Sequence, residues 1–292
     1  SDYLNMGIDG VDGDLSDGDT SNDGNLAAVN DALINTGNTL DTAASVQEVV
    51  DSYNTILTTA TEDAGTLSVE NLTDIGVTLE AGTEAAVAEL ASGVIASLGY
   101  SDVDTVAETQ AIVDAIDAVF ANTLRTSDDD TTNTTVVSKD QLHTLGFSGV
   151  TDDNLDAVQR VLTNQTDESD VKSYADLKAL VDAAIAAHSD ILNAASTDDL
   201  TDIDEADYAS MGIDRVDSTN LSSINDALIN TVNTLDTAAS VQEVVDSYNH
   251  ILDLRAGTTL ALDAADFTDL GVTLKAAGTE HDKQLAYLQE IV

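Results

Sequence analysis

A block of thirty residues occurs twice in this chain with almost no change. Residues 25–54 read NLAAVNDALINTGNTLDTAASVQEVVDSYN and residues 220–249 read NLSSINDALINTVNTLDTAASVQEVVDSYN, so only four positions differ. Such identity indicates an internal duplication. Because each copy must bury a similar apolar face, the duplication favours a repeat architecture over a single unique core.

A shorter motif with a central glycine extends the repeat along the whole chain. Residues 2–8, DYLNMGI, match residues 207–213, DYASMGI, and looser versions occur at three further places. We therefore predict five segments, numbered 1 to 5 in chain order. Their ranges are 1–68, which carries an Asp/Gly-rich insert, 69–137, 138–204, 205–263 and 264–292, which is partial. The pivot glycines of the motif are Gly7, Gly76, Gly146, Gly212 and Gly271.

The apolar residues of each segment recur with helical spacing. Val46, Val49, Val50 and Tyr53 fall at i, i+3, i+4 and i+7, which places them on one face of a helix. A short helix should end at each pivot glycine, because glycine accepts the left-handed conformation at a helix C-terminus. The predicted fold class is therefore all-α, a tandem array of small three-helix units of which the last is incomplete.

Polar pairs indicate where the third helix of each segment begins. Ser45 and Glu48 have the spacing of a capping box, and Ser240 and Glu243 repeat it in the second copy. In a capping box each of the two side chains bonds the backbone N–H of the other residue. Looser pairs at the corresponding places in segments 2 and 3 are Thr105 with Glu108 and Ser173 with Asp176.

The charge of the chain excludes several classes of function. It has 55 acidic and 9 basic residues, a formal charge of -46, and no cysteine. Without cysteine there is no disulfide framework and no thiolate metal site. Phosphate backbones and anionic membrane surfaces would repel such a surface, so we expect no nucleic-acid partner. No apolar run approaches the roughly 18 residues of a spanning helix, and residues 1–30 lack a signal-peptide pattern, so we expect no membrane insertion.

The insert of segment 1 carries many short oxygen-bearing side chains, and two interpretations stay open for it. Calcium takes six to eight oxygen ligands, and one register resembles an EF-hand loop until Asn30 replaces the usual bidentate Glu. The other interpretation is a solvated acidic loop. Segment 4 lacks the insert, so a calcium site here would not be general to the repeat. The candidate calcium ligands are Asp12, Asp14, Asp17, Asp19, Ser21 and Asp23.

Other candidate sites have weaker support. Acidic runs at 127–130 and 197–205 are either cation sites or exposed linkers. No catalytic motif or metal-binding histidine pair occurs, so we predict that the protein is not an enzyme. The four histidines are scattered over different repeat positions: His143, His188, His250 and His281. Tyrosines recur at equivalent positions, which core packing explains: Tyr3, Tyr53, Tyr208 and Tyr248.

The repeat resembles helical repeats of very large acidic surface proteins of Gram-negative bacteria. The resemblance is carried by Tyr3…Met6-Gly7-Ile8-x-Gly10-Val11, by Asn25-Leu26-x-x-Val29-Asn30 and by Val46-Gln47-x-Val49-Val50-Asp51-x-Tyr53-Asn54. The families include biofilm-associated adhesins and surface-layer-like proteins. The resemblance covers nearly the whole chain, but its motifs are those of packing and capping. It implies an extracellular location at the bacterial cell surface, a structural or adhesive role and dependence on calcium.

Two functions follow as expectations. The first is a non-enzymatic extracellular structural protein that assembles with copies of itself into a surface layer, filament or biofilm matrix, helped by calcium bridging of acidic surfaces. The alternative is the stalk or binding module of a large secreted adhesin that recognises a cell-surface glycan or a protein, for which Tyr100, Phe120, Phe147 and Tyr174 are candidate aromatics. Adaptation to high salt would also explain the acidic composition and is compatible with both.

Overall fold

The structure is a computed structural model that describes residues 2–11, 24–62, 65–123, 136–165, 171, 173–257 and 262–291. Within these residues the fold is all-helical and contains no strand, as the helical periodicity predicts. The insert of segment 1 and the acidic run at 127–130 lie outside the described residues.

Short helices alternate with longer ones along the chain. The helices are α1 Asp2–Asn5, α2 Leu26–Asn35, α3 Ala43–Glu62, α4 Val69–Asp74, α5 Glu84–Ser97, α6 Val106–Thr123, α7 Lys139–Thr144, α8 Leu155–Thr163, α9 Tyr174–Ser196, α10 Glu205–Ser210, α11 Leu221–Asn230, α12 Ala238–Arg255, α13 Ala264–Thr268 and α14 Thr279–Ile291. A turn of 3-10 helix, Tyr100–Asp102, precedes α6.

The first compact unit comprises residues 1–148 and 165–178. Helix α3 packs against α2, α4 and α5, and α6 packs against α5 and α7. The valines predicted to share one helix face, Val49 and Val50, are fully buried together with Tyr53. Each buried aliphatic side chain contributes roughly 1.5–3 kcal/mol relative to an exposed one, so this unit is held together chiefly by aliphatic burial.

The second compact unit comprises residues 149–164 and 179–292. Its core is a cluster to which α9 contributes Ala187, Ile191 and Ala195 and α10 contributes Tyr208. Helix α12 packs against α8, α11 and α13. The recurring tyrosines behave as packing residues to different degrees: Tyr53 and Tyr208 are fully buried, whereas Tyr3 and Tyr248 are only partly buried.

The pivot glycines adopt the left-handed conformation that the sequence predicts. Their φ angles are +75° at Gly7, +97° at Gly76, +90° at Gly146, +76° at Gly212 and +80° at Gly271. Each short helix is closed by a backbone bond from the residue after the glycine, as in Ile8 N–H to the carbonyl of Tyr3 at 3.0 Å. The short helices therefore end where glycine removes the Cβ penalty.

The predicted start of the third helix is wrong by three residues in the two long copies. Helix α12 is capped by Thr237, whose hydroxyl accepts the Ser240 N–H at 3.2 Å. In the first copy Thr42 accepts the Ser45 N–H at 3.1 Å. The serines are therefore the third helical residues and not the caps, because the Ala-Ala pair before them extends the helix with the best helix-forming residue.

The looser pairs are confirmed as caps. Glu108 N–H donates to the Thr105 hydroxyl at 3.2 Å, and Glu108 returns a carboxylate oxygen to the Thr105 N–H at 3.0 Å. Asp176 N–H donates to the Ser173 hydroxyl at 3.1 Å. Thr and Ser are good N-caps because their short side chains reach the free N–H groups of the first turn.

Candidate functional site

The most distinctive polar arrangement joins the end of segment 1 to the start of segment 2. Asp74, the last residue of α4, accepts a hydrogen bond from the Ser52 hydroxyl of α3 at 2.7 Å. Its other carboxylate oxygen accepts from the Asn38 side-chain amide at 3.1 Å. One carboxylate therefore ties both the long helix and the preceding loop to the next short helix.

The same arrangement occurs between segments 4 and 5. Asp269 accepts from the Ser247 hydroxyl at 2.8 Å and from the Asn233 amide at 3.0 Å. These residues are the repeat equivalents of Ser52 and Asn38. We call this Asp–Ser–Asn set the junction triad. Its recurrence with matching distances shows that the repeated residues make repeated contacts between consecutive segments.

A close backbone approach accompanies each junction triad. A Cβ atom placed on Gly76 would lie 2.3 Å from the carbonyl oxygen of Asn35 at the end of α2. A Cβ on Gly271 would lie 2.2 Å from the carbonyl oxygen of Asn230 at the end of α11. Both positions therefore need glycine for two reasons, since the backbone has a positive φ and leaves no space for a side chain. Of these two reasons, the sequence predicted only the positive φ.

A pair of asparagines closes the loop after the first pivot glycine. The side-chain amides of Asn25 and Asn54 both donate to the carbonyl oxygen of Gly10, at 2.6 and 2.8 Å. Asn25 also donates to the side-chain oxygen of Asn54. Because Asn25 is buried, this network satisfies polar groups that burial would otherwise leave without water.

Segment 4 builds the same network around a different residue. Asn220 and Asn249 donate to the carbonyl oxygen of Arg215 at 2.8 and 3.1 Å. Arg215 has a φ of +64° where segment 1 has Gly10 with +79°. The asparagine pair therefore holds a left-handed residue in place even where that residue is not glycine.

A glutamine on the long helix clamps the backbone after the pivot glycine. Gln47 accepts the Asp9 N–H at 2.8 Å and donates to the Asp9 carbonyl at 3.0 Å. Gln110 does the same at Thr78, at 2.7 and 3.1 Å. Gln242 repeats the contact at Asp214 with 2.9 and 3.4 Å. An amide side chain suits this position because it can donate and accept at once.

Carboxylates of one segment also cap the long helix of the next. Asp31 of α2 accepts the Val106 N–H at the first turn of α6 at 2.8 Å. Asp156 of α8 accepts the Ala239 N–H at the first turn of α12 at 2.7 Å. A carboxylate at a helix N-terminus satisfies a free N–H and complements the helix dipole. Part of the acidic composition is therefore used between segments and is not merely solvated.

One carboxyl group has a strongly altered proton affinity. Burial, together with the nearby charges of Glu80 and Asp114, raises the pKa of Asp117 to about 6. Asp117 stands in segment 2 where the two long copies have Asn54 and Asn249. The amide of the repeat is thus replaced by an acid in a partly buried, negatively charged setting.

Two carboxylates of the acidic run at 197–205 accept hydrogen bonds from nearby backbone N–H groups. Asp199 accepts hydrogen bonds from the N–H and hydroxyl of Thr201, which lower the pKa of Asp199. Asp204 caps α10 by accepting from the N–H groups of Ala206 and Asp207. Among the described residues no group of three or more acidic or histidine side chains is arranged to hold a metal ion.

The candidate calcium ligands Asp12, Asp14, Asp17, Asp19, Ser21 and Asp23 all lie outside the described residues. The calcium site in the insert therefore stays a prediction. Asn30, at the last position of the EF-hand register, uses its side-chain oxygen to accept the Tyr3 hydroxyl at 2.5 Å.

The histidines do not converge on one place. His188 lies 3.3 Å from the carbonyl oxygen of Asp236, and His281 lies beside Asp282. His250 Nδ1 lies 2.8 Å from the buried carboxylate of Asp266. The equivalent residues in segments 1 and 2 are Thr55 and Asn71. The histidine–carboxylate pair is therefore specific to segments 4 and 5.

Two of the four aromatics considered for ligand stacking are buried. Phe120 and Phe147 are almost fully buried. The ring of Tyr174 packs against that of Phe147 with centroids 5.6 Å apart. These three side chains therefore contribute to packing, and of the four only Tyr100 and Tyr174 keep appreciable exposed surface.

Comparison with protein families, with curated proteins and with solved structures finds no match. Across the described part of the chain, no helix combines the length and apolar character needed to cross a membrane.

The residues that join consecutive segments were missed at the sequence level. Asp74, Ser52 and Asn38 gave no motif by themselves. Their signal was available in the repeat, because Asn38 and Ser52 have identical counterparts in the second copy and Asp74 has one, Asp269, in the glycine motif of segment 5. A polar residue that is kept in a duplicated block marks a contact that both copies make.

Proposed function

We propose that this protein is a non-enzymatic structural protein of the extracellular space, a tandem array of helical segments that assembles with copies of itself. The single observation that carries the proposal is the junction triad. Asp74 and Asp269 make the same contacts with equivalent serine and asparagine residues. The chain thus uses these repeated polar residues to join one segment to the next.

The order of the helices supports the array. A short helix, a helix of intermediate length and a long helix follow one another in each of segments 1 to 4, and segment 5 contains α13 and α14. A segment of about 60–70 residues has a small core and is marginal alone, whereas stacked repeats gain stability from contacts with their neighbours. Scaffolding is the role that this construction serves best.

The charge of -46 makes assembly dependent on cations. At physiological ionic strength the Debye length is about 8 Å, so closely packed acidic surfaces still repel each other. Calcium would relieve the repulsion by bridging carboxylates, and hard oxygen ligands are what calcium prefers. Extracellular calcium-binding modules work at 10⁻⁴–10⁻³ M calcium, which fits a protein of the cell surface.

The experiment is to follow particle size by light scattering, and melting temperature, in millimolar calcium and in chelator at matched ionic strength. We expect larger particles and a higher melting temperature in calcium. Equal behaviour in both solutions would refute cation-bridged assembly. If sodium chloride alone produced the same rise, high-salt adaptation would explain the composition instead.

A variant of the insert separates the local site from general bridging. Asp12→Asn, Asp14→Asn, Asp17→Asn, Asp19→Asn and Asp23→Asn together remove the carboxylates of the predicted site. The matched control replaces five exposed acids of the second unit by the corresponding amides. These acids are Asp190, Asp198, Asp202, Asp214 and Glu243. A calcium response that is lost only in the insert variant would place the site there.

A further inference from the structure

One face of segment 1 exposes large apolar side chains. Leu4 is 67% exposed, Met6 is 54% exposed and Ile34 is 81% exposed. A Cβ placed on Gly7 would meet nothing within 4 Å. Single exposed apolar residues need no explanation, but a group of them indicates an interaction surface. We call these four residues, Leu4, Met6, Gly7 and Ile34, the open face.

Three of the four equivalent positions of segment 4 are buried or partly buried, namely Met211, Gly212 and Ile229, whereas Ala209 at the position of Leu4 is exposed. Met211 is fully buried in the cluster that includes Ile191 and Ala195 of α9, and Ile229 packs against that cluster. A Cβ on Gly212 would lie 2.6 Å from the Cβ of Arg160 in α8. Segment 4 thus has its Gly position packed against α8 of the preceding segment, and its Met and Ile positions lie in or against a core cluster to which α9 contributes.

The two faces have the same internal geometry. The Tyr3 hydroxyl donates to Asn30 at 2.5 Å and so ties α1 to α2. The Tyr208 hydroxyl donates to Asn225 at 2.6 Å and ties α10 to α11 in the same way. The open face is therefore presented on the same pair of helices, held in the same way, as the covered one.

We propose that the open face docks the second and third helices of another segment of this kind, a partner whose long helix carries an alanine and isoleucine stripe like that of α9. The stripe consists of Ala187, Ile191 and Ala195. In this chain it is already packed against α10 and its neighbours, so the partner must supply its own. The inference rests on the proposed tandem array, but it does not depend on calcium.

The two methionines of the chain provide an internally controlled test. Met6 and Met211 occupy equivalent positions, one exposed and one buried, and oxidation converts an accessible Met to the sulfoxide. The chain is compared with an extended chain in which a second copy of residues 136–206 precedes Asp2, as it precedes Asp207 naturally. The added copy contains no methionine. Both proteins are treated with hydrogen peroxide in chelator, and peptide masses give the two rates.

In the unextended chain we expect Met6 to be oxidised much faster than Met211. In the extended chain the Met6 rate should fall to that of Met211. The matched control carries Ile191→Asp in the added copy alone, which places a charge in the stripe, and here Met6 should react fast again while Met211 stays protected by the natural copy.

Three results would overturn the proposal. Rapid oxidation of Met6 in the extended chain would show that the face does not accept this partner. Protection that survives Ile191→Asp would show shielding without the stripe. Protection of Met6 in the unextended chain as its concentration rises would assign the face to a second copy. None of these results bears on the calcium response, so a failure here is distinguishable from a failure of the proposed function.

Discussion

The two thirty-residue copies have almost the same sequence but different surroundings. In the first copy Ile34 is exposed and Tyr53 is fully buried, whereas in the second copy Ile229 packs against a core cluster and Tyr248 is only partly buried. The internal contacts of the copies agree. Burial of a repeated residue is therefore decided by which neighbouring helices the chain supplies and not by the repeated sequence itself.

The difference has a direction along the chain. The middle helix of the second copy lies against a core to which the segment before it contributes: Ile229 packs against the cluster that includes Ala187, Ile191 and Ala195 of α9. The long helix of a copy is covered by the segment after it: the Tyr53 hydroxyl donates to the carbonyl oxygen of Val103 in segment 2 at 3.0 Å. Matched substitutions in the two copies can therefore measure each neighbour separately.

The largest effect is expected for Gly76→Ala compared with Gly7→Ala. Both residues have positive φ, but only at Gly76 would the new Cβ lie 2.3 Å from a backbone carbonyl. The left-handed conformation costs a non-glycine residue about 1–2 kcal/mol, and overpacking adds about 1–3 kcal/mol. Urea unfolding should show that Gly76→Ala lowers the free energy of unfolding by both costs together, whereas Gly7→Ala lowers it only by the cost of the left-handed conformation. Equal losses would mean that the close approach carries no energy.

Tyr53→Phe is expected to cost more than Tyr248→Phe. At Tyr53 the change removes a buried hydrogen bond and leaves the Val103 carbonyl without that donor, which costs about 1–3 kcal/mol. Tyr248 is partly exposed, so its loss should be small. The free energies of unfolding from urea titrations decide the matter. A similar cost at both positions would contradict the idea that the following segment makes the difference.

Asp31→Ala and its counterpart Asp226→Ala test the caps between segments. Asp31 accepts the Val106 N–H at the start of α6, and loss of an N-cap typically costs about 1 kcal/mol. Asp226 is exposed and should cost little when replaced. The melting temperatures of the two variants, monitored by circular dichroism, test this expectation. The cap interpretation fails if Asp226→Ala lowers the melting temperature as much as Asp31→Ala.

The smallest effect is expected for Asp117→Asn, which restores the amide of the two copies. Because folding raises the pKa of Asp117 to about 6, the fold favours the protonated form, and stability present at low pH is lost as the pH rises past 6. At pH 7.5 the variant should have a higher free energy of unfolding than the parent, by less than about 1 kcal/mol after allowance for solvent screening, and should therefore melt at a higher temperature. The two proteins should converge near pH 4. The exposed Glu89→Gln provides the control, and a gain that does not change with pH would contradict this mechanism.

The sequence allowed the helical fold class and the conformation of the pivot glycines to be predicted, because both depend on local spacing and on the freedom of glycine. The start of α12 was predicted three residues late, since Thr237–Ser240 and Ser240–Glu243 both fit a cap and only the preceding alanines decide between them. The contacts of Asp74 could not be predicted from one segment. They depend on where a neighbouring helix places Ser52 and Asn38, which local pattern does not contain.

The junction triad has a consequence for how such a chain changes its length. One segment carries Asn38 and Ser52 before and within its long helix, and the next carries Asp74 and Gly76 at its start. Segments 1 and 4 have Asn5 and Ser210 at the position of Asp74, so neither carries both halves of the joint. A genetic duplication therefore copies a complete joint only when it takes two consecutive segments together, and we expect the gene to gain or lose such segments in pairs.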